Sequence, residues 1–332
     1  MEKRAAPAPE RHETAHPEEG SCKDIRIFVS HRIDRESARI DNPLYVPVRC
    51  GAVYDKRENP PIPGDDTGEN ISERRDTFNE LTVQYWAWKN VRADYYGLCH
   101  YRRYLAFSEH PLCPDPHENA VFPALDAESI AQCGLRDSGR MRAIIEENDL
   151  LVSVPYDVSK RGFRNLYEHY AEVPWQHKRD LKKVLPIIGR LHPDYLEPAK
   201  SYLNGVFFYP CNLFIMKADI FFEYCSWLFP ILFELERSVP AGRYGEKRKR
   251  VCGFAGERLL GVFITGYLKK HPACRYRELQ RAFFLQTAPE GTSGPPETAP
   301  PKFQRAAEFA KGRLKRGGRL YKYLSRLYQF FK

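Results

Sequence analysis

The sequence is notable first for what is missing from it. Nine cysteines are spread over 332 residues without one Cys-x-x-Cys pair, so neither a zinc ribbon nor a thioredoxin-type redox centre is encoded. A chain of this size needs no disulfide framework, and the thiols are expected to be reduced, as in the cytosol. The histidines of the middle region, among them His169, His177 and His192, lack the i, i+4 spacing and accompanying glutamate of a helical zinc site. They read as surface or acceptor-side groups. The first residues contain no apolar signal region. No segment reaches the roughly 18 apolar residues of a membrane span. The most apolar patch, 221–233, is too short and contains Glu223 and Pro230. No RNA-binding or helix-turn-helix pattern is present, which leaves little for a nucleic-acid reading to rest on.

What is present is an apolar share of 42% and an aromatic share of 13%, with 20 Tyr and 20 Phe. That supports a real core in one large or two modest domains. The formal charge of +9 is unevenly placed. Residues 302–332 hold ten Lys or Arg and one acid, so the remainder is formally neutral. The basicity belongs to a tail and says little about the substrate of the main domain.

The most informative stretch is 76–107. Phe78, Leu81, Tyr85 and Trp88 recur at steps of three and four, on one face of a helix. Thr77 to Glu80 fits a capping box, which gives the Glu80 carboxylate a structural task to set beside that of a base. Tyr95 to Cys99 reads as a buried strand running into His100, Tyr101, Arg102 and Arg103. In α/β sheets ligands bind beyond the carboxyl ends of strands. Two guanidiniums and an imidazole there suit a phosphate, a diphosphate or a carboxylate; the bland alternative is arginines snorkelling into solvent.

Around this stretch the chain reads in order. Residues 1–22 lack apolar periodicity and are expected to be disordered. Residues 24–30 form a first strand, and 45–49 a second that Pro47 restricts to an edge. The loop 55–75 contains Gly64-Asp65-Asp66-Thr67-Gly68, whose aspartates suit a hard cation, a ribose or a sugar hydroxyl, or simply a turn. Trp86 lies off the core stripe of its helix and is free to line a pocket or a partner surface. Helical segments are expected over 126–148 and 159–200, with a strand at 150–154. Residues 205–216 read as a strand holding Asn212, whose amide must find backbone or ligand partners. A helix follows from about 217 to 237, with a kink expected at Pro230. Gly253 to Arg258 opens a last helix, and Glu257 near its start is either favoured by the dipole or functional.

Several blocks together resemble the signature of a bacterial family found in capsule, exopolysaccharide and O-antigen gene clusters. They run Gly64-Asp65-Asp66-Thr67-Gly68-Glu69-Asn70-Ile71-Ser72, Asn79-Glu80-Leu81-Thr82, Tyr85-Trp86-Ala87-Trp88-Lys89-Asn90 and Tyr96-Gly97-Leu98-Cys99-His100-Tyr101-Arg102-Arg103-Tyr104. Asn212-Leu213-Phe214-Ile215-Met216 and Gly253-Phe254-Ala255-Gly256-Glu257-Arg258-Leu259-Leu260 follow. That family is catalogued as a domain of unknown function and regarded as glycosyltransferase-like. An ordered run of this length is far more specific than one short motif.

The resemblance implies an α/β fold of the A-type glycosyltransferase kind, a Rossmann-like mixed sheet flanked by helices, over residues 23–285. A linker at 286–301 and a basic amphipathic tail at 302–332 complete the expected organisation. It implies a transferase that takes a sugar from a nucleotide-diphosphate donor to a glycan or lipid-linked acceptor. His100, Tyr101, Arg102, Arg103, Asp65, Asp66 and Asn70 would meet the donor. Trp86, Asn212 and Arg258 would meet sugar or acceptor, and Glu257, then Glu80, would serve as base. Where many A-type enzymes carry Asp-x-Asp for a metal, this strand ends in His-Tyr-Arg-Arg. The arginines are expected to do the metal's electrostatic work, with Asp65 and Asp66 as the fallback site for Mn2+ or Mg2+. The tail, with Leu320, Leu324, Leu327 and Phe331 spaced 4, 3 and 4, has the pattern of a helix lying on an anionic membrane. That gives an expected place at the cytoplasmic face of the membrane. The alternative is a non-catalytic component that binds an anion or glycan within a polysaccharide assembly complex.

Overall fold

The computed structural model describes residues 22–172, 176–239 and 249–288. Nearly all of the expected N-terminal segment, most of the expected linker and the whole basic tail lie outside them. Eleven strands occur among the described residues: β1 (Ile25–Arg32), β2 (Tyr45–Cys50), β3 (Tyr95–His100), β4 (Arg103–Leu105), β5 (Asn119–Ala124), β6 (Leu150–Ser153), β7 (Tyr156–Asp157), β8 (Phe207–Phe208), β9 (Phe214–Lys217), β10 (Tyr276–Leu279) and β11 (Arg281–Gln286).

The central sheet runs β2-β1-β3-β9-β6-β10. All neighbours are parallel except that β9 is antiparallel to both β3 and β6. This is the mixed α/β sheet expected from the sequence, with Pro47 on the edge strand β2, where a missing N–H is tolerated. The sheet is buried on both faces, and alternation along each strand divides its side chains between two cores. Phe28, Tyr96, Leu98, Leu150, Val152, Phe214 and Met216 join one core, with the long helices Ala218–Ser238 and Val251–Lys270. Ile27, Val29, Tyr95, Cys99, Leu151 and Ile215 join the other, with the helices Ala127–Gln132 and Ser138–Glu146. Full burial of such a side chain is worth roughly 1.5–3 kcal/mol, so this double-faced packing dominates the stability.

The helix Val251–Lys270 meets the length and hydropathy of a membrane span, which the count of apolar residues had missed. Its most apolar window is 78% buried inside the fold, as in the core helix of a folded domain. The helix around Pro230 runs unbroken from Ala218 to Ser238.

At the end of β3 the chain turns tightly, pairing His100 with Arg103, and β4 leaves the central sheet. There β4 pairs antiparallel with β11, and β11 runs parallel to β5. A separate two-stranded ladder, β7 with β8, sets Tyr156 opposite Phe208. The carboxyl ends of β1, β2, β3, β6 and β10 therefore share one edge with the amino end of β9. The β4-β11-β5 extension and the β7/β8 ladder wall off the ground beyond that edge.

Candidate active site

Beyond that edge lies a cavity of about 310 Å3, lined among others by Arg103, Tyr156, His169, Glu257, Arg258 and Arg281. The volume is at the small end of ligand sites.

Of the four residues at the end of β3, only Arg103 lines the cavity. Its guanidinium lies 4.7 Å from the centre of the Phe283 ring, and no carboxylate among the described residues forms an ion pair with it. Tyr101 is buried at 1% exposure and belongs to the interior. Arg102 is half-buried against the rings of Tyr101 and Phe283, and burial pulls its pKa down to about 10. His100 is also drawn inward. Desolvation, then the charges of Arg103 and Arg102, hold its pKa well below the usual histidine value. His100 is therefore a neutral group near neutral pH, and the positive charge at this strand end comes from the arginines alone.

The helix Val251–Lys270 delivers Glu257 and Arg258. It begins at Val251, so Glu257 stands in its second turn, where the helix dipole has largely faded. The Arg258 guanidinium bonds the Glu257 carboxylate at 2.9 Å and lies 4.0 Å over the Phe208 ring. Desolvation raises the Glu257 pKa, and Glu80 adds to it, while Arg258, Arg103 and Arg250 oppose the rise. Two close approaches bring this helix to the 78–81 segment. A Cβ on Gly253 would sit 2.3 Å from Asn79 Nδ2, and one on Gly256 2.7 Å from Leu81 Cδ1. Only glycine allows the helix to come this near.

The expected capping box at Thr77 does not form. Asn79 adopts a positive φ of 52° with ψ −131°, which ends a short helix at Phe78 and lets a second begin at Leu81. Glu80 occupies the N-cap position of that second helix, yet its side chain makes no capping bond. Instead its Oε1 accepts a 2.8 Å hydrogen bond from Nδ2 of Asn212. Asn212 is fully buried, and with Cys211 it forms a left-handed pair, φ 50° and 72°, immediately before β9. Such backbone costs about 1–3 kcal/mol per residue and gathers at functional sites. Here it carries Cys211 into the cavity wall and Asn212 onto Glu80.

The glycine-aspartate loop has a different task. Both oxygens of Asp65 are fully enclosed. They accept from the amides of Gly51 at 3.0 Å and Ala52 at 2.9 Å, and from the hydroxyls of Ser72 and Thr82, each at 2.5 Å. Asp65 is a brace for the end of β2, with no oxygen left over for a phosphate or cation. Asp66 is exposed. Asn70 bonds Gly68 O and Ser72 N within its own loop. Trp86 Nε1 donates to Thr67 Oγ1 at 3.0 Å and packs edge-on against Phe28, so it fastens the same loop to the sheet and does not line the cavity. No group of three or more His, Cys, Asp or Glu side chains converges on a metal-sized site among the described residues.

Several cavity residues were not singled out in the sequence. His169 is buried, with desolvation first and Arg258 next holding its pKa down to about 2. Arg258 Nη2 lies 3.3 Å from His169 Nδ1, and a guanidinium can only donate. Nδ1 is thus the acceptor, and the ring proton sits on Nε2. From there it points at the Tyr156 hydroxyl oxygen, with the Glu172 carboxylate 3.8 Å away. The Tyr156 O–H is left to donate elsewhere, and Tyr156 is one of the residues that line the cavity. Glu172 is itself bound by Arg161. Arg281, at 1% exposure, lies in the β4-β11-β5 extension; Asn119 Oδ1 and the His117 carbonyl hold it, each at 2.6 Å. The signal in the sequence was an arginine at the head of a continuous apolar run, Ala282 to Leu285.

A protein-family model described as Domain of unknown function (DUF4422) matches residues 26–270. Among solved structures, one titled "WbbM bifunctional glycosytransferase apo structure" superposes with a TM-score of 0.74 and 34% sequence identity. The match covers 82% of this chain and 47% of the other, so this chain spans about half that protein's length. No curated protein matches.

Proposed function

Because the chain belongs to the DUF4422 family, we propose that it is a glycosyltransferase that moves a sugar from a nucleotide-diphosphate donor to a glycan acceptor. The similarity to a bifunctional glycosyltransferase supports the reaction class. The observation that carries the reading is the shared cavity: a carboxylate with a raised pKa, Glu257, faces the same space as Arg103, which has no carboxylate partner among the described residues. Transfer needs both. The acceptor hydroxyl must lose a proton to a base within hydrogen-bond reach. The departing diphosphate needs preorganised positive charge where its own charge develops.

In this reading Glu257 takes the proton, and Glu80, braced by Asn212, is the second candidate. Arg258 orients Glu257. Arg103 receives the diphosphate, while Arg102 and neutral His100 stand behind it, outside the cavity lining. The acceptor is lipid-linked in this proposal, and residues 302–332 hold the enzyme on the anionic cytoplasmic surface where such an acceptor lies. The short Glu257–Arg258 bond favours a second reading, a non-catalytic glycan- or anion-binding component, because it competes with proton abstraction.

The test is a panel of nucleotide sugars, with and without Mn2+ or Mg2+, read by thermal shift and by donor consumption with oligosaccharide acceptors. A ligand of the native state raises the melting temperature by mass action. Stabilisation with turnover supports the enzyme; stabilisation without turnover for any acceptor supports the binding component; neither defeats both.

A further inference from the structure

The register of the β4-β11-β5 extension sets two arginines side by side. Phe283 of β11 is directly opposite Arg103 of β4, and Arg281 is two residues away on the same strand. Residues two apart share a face, so Arg281 and Arg103 are diagonal cross-strand neighbours, pointing to the same side. On the other flank Arg281 is in register with Asn119 of β5, which holds its Nε. Both arginines line the cavity. Like charges in this relation repel, and neither has a carboxylate in ion-pair distance among the described residues.

Arg281 is the sharper case. Its Nε and Nη2 are bonded to neutral acceptors, while Nη1 is buried with no hydrogen-bond partner. A buried guanidinium without an acidic partner is costly unless a ligand completes it. Across the cavity the Arg258–His169–Tyr156 chain leaves the Tyr156 hydroxyl hydrogen unclaimed. Among the described residues the cavity is lined by four arginines, Arg103, Arg161, Arg258 and Arg281, and two carboxylates, Glu172 and Glu257. Each carboxylate is already paired, to Arg161 and to Arg258. Among these described residues the unmatched charge is two, and it sits on Arg103 and Arg281.

We propose that this wall is a phosphoryl-anion subsite, in which Arg281 Nη1 and the Arg103 guanidinium share one doubly charged anion and the Tyr156 hydroxyl donates a further hydrogen bond. The subsite deepens the glycosyltransferase reading and rests on it only for the anion's identity. The group is the donor's diphosphate or a phosphoryl group on the acceptor. Arg281 thereby takes the place beside Arg103 that adjacency in sequence had given to Arg102.

The experiment is calorimetric titration of the full chain with inorganic pyrophosphate, at two salt concentrations. Wild-type protein is expected to bind, more weakly at higher salt. Arg103→Gln and Arg281→Lys should each weaken binding roughly ten-fold or more, as for loss of a hydrogen bond between charged groups. Tyr156→Phe should weaken it about three- to ten-fold. Arg281 is buried and has structural bonds, so the half-buried Arg103→Gln and the isosteric Tyr156→Phe keep the test open if Arg281→Lys misfolds. Competition then identifies the source: displacement by a nucleoside diphosphate marks the donor, displacement by a short polyprenyl diphosphate the acceptor. Absence of pyrophosphate binding to wild-type protein, or unchanged affinity in folded Arg103→Gln and Tyr156→Phe, overturns the subsite. Pyrophosphate binding with no turnover of any nucleotide sugar keeps the subsite and removes the transferase. Turnover that pyrophosphate does not inhibit does the reverse.

Discussion

Asp65 offers the cleanest contest between a ligand role and a structural one. Its two oxygens take four hydrogen bonds, two from the backbone amides of Gly51 and Ala52 and two from the hydroxyls of Ser72 and Thr82. In Asp65→Asn one oxygen becomes an NH2 donor. Whichever oxygen is replaced loses one amide and one hydroxyl donor. The hydroxyl can rotate; Thr82 already has the Asn79 carbonyl within 3.0 Å. The amide cannot, and a buried unsatisfied N–H costs about 1–3 kcal/mol. The two bonds to the remaining oxygen fall from charge-assisted to neutral strength, a loss of roughly 1 kcal/mol each. The expected destabilisation is therefore about 3–5 kcal/mol, in the range reserved for a broken buried network. Urea unfolding followed by tryptophan fluorescence measures it, and Mn2+ or Mg2+ should give no differential stabilisation of wild type over mutant. A solvent-facing metal ligand would behave otherwise: its amide should fold with a loss below about 0.5 kcal/mol, typical of a surface change, and forfeit only a metal response. A result of that kind refutes the bracing role and restores the loop as a cation site.

Three other outcomes follow from the geometry. Glu257→Gln should lower transfer by about 10²- to 10⁴-fold, the usual contribution of a general base, with donor binding retained in the thermal-shift assay. Because the Glu257 pKa is raised, the acidic limb of the wild-type pH–rate profile should lie above the ordinary glutamate range, with rate increasing as pH rises through it. The same raised pKa makes the folded state bind the extra proton, so stability from this group falls as pH rises through that window. The buried histidines act in the opposite sense. His169, held to about 2, and His31, held to about 4, are neutral in the fold and protonate when unfolded near pH 6.5. Each should remove about 1.4 kcal/mol of stability per pH unit below that value until its folded pKa is reached; a stability–pH curve flat between pH 6 and pH 4.5 would contradict this, and His169→Gln should reduce the slope. Gly253→Ala places a Cβ 2.3 Å from Asn79 Nδ2. Pushing that helix outward should destabilise by about 1–3 kcal/mol and separate Glu257 from Glu80, so that activity falls further than stability alone explains.

Deletion of residues 302–332 should release the protein from anionic vesicles in a flotation assay while leaving turnover of a soluble acceptor unchanged. Persistent vesicle binding would remove the tail from the membrane proposal.

The strands β1, β2, β3 and β6 were legible in the sequence because alternation and β-branched content are local properties, and the resemblance to the family rested on ordered blocks of the same kind. So was the inward face of Phe78, Leu81 and Tyr85; that Arg103 and Glu257 line one cavity depends on how distant elements pack. The chain alone also set the unequal distribution of charge and the scarcity of metal-ligand spacings. What it could not set was partnership across long separations. Whether Glu80 caps a helix or meets Asn212, 132 residues later, depends on positive φ at Asn79 and at the Cys211–Asn212 pair before β9, which no periodicity encodes. Asp65 read as either a ligand or a turn residue, because its four donors come from three other segments. His169 read as a surface or acceptor-side group, because its burial is decided by Tyr156 and Arg258. Arg281 joins Arg103 only through the register of β11 on β4, a pairing across 178 positions fixed by sheet geometry. Local preference writes the elements; where charges end up unmatched, and so where an anion can bind, is settled only when distant segments pack.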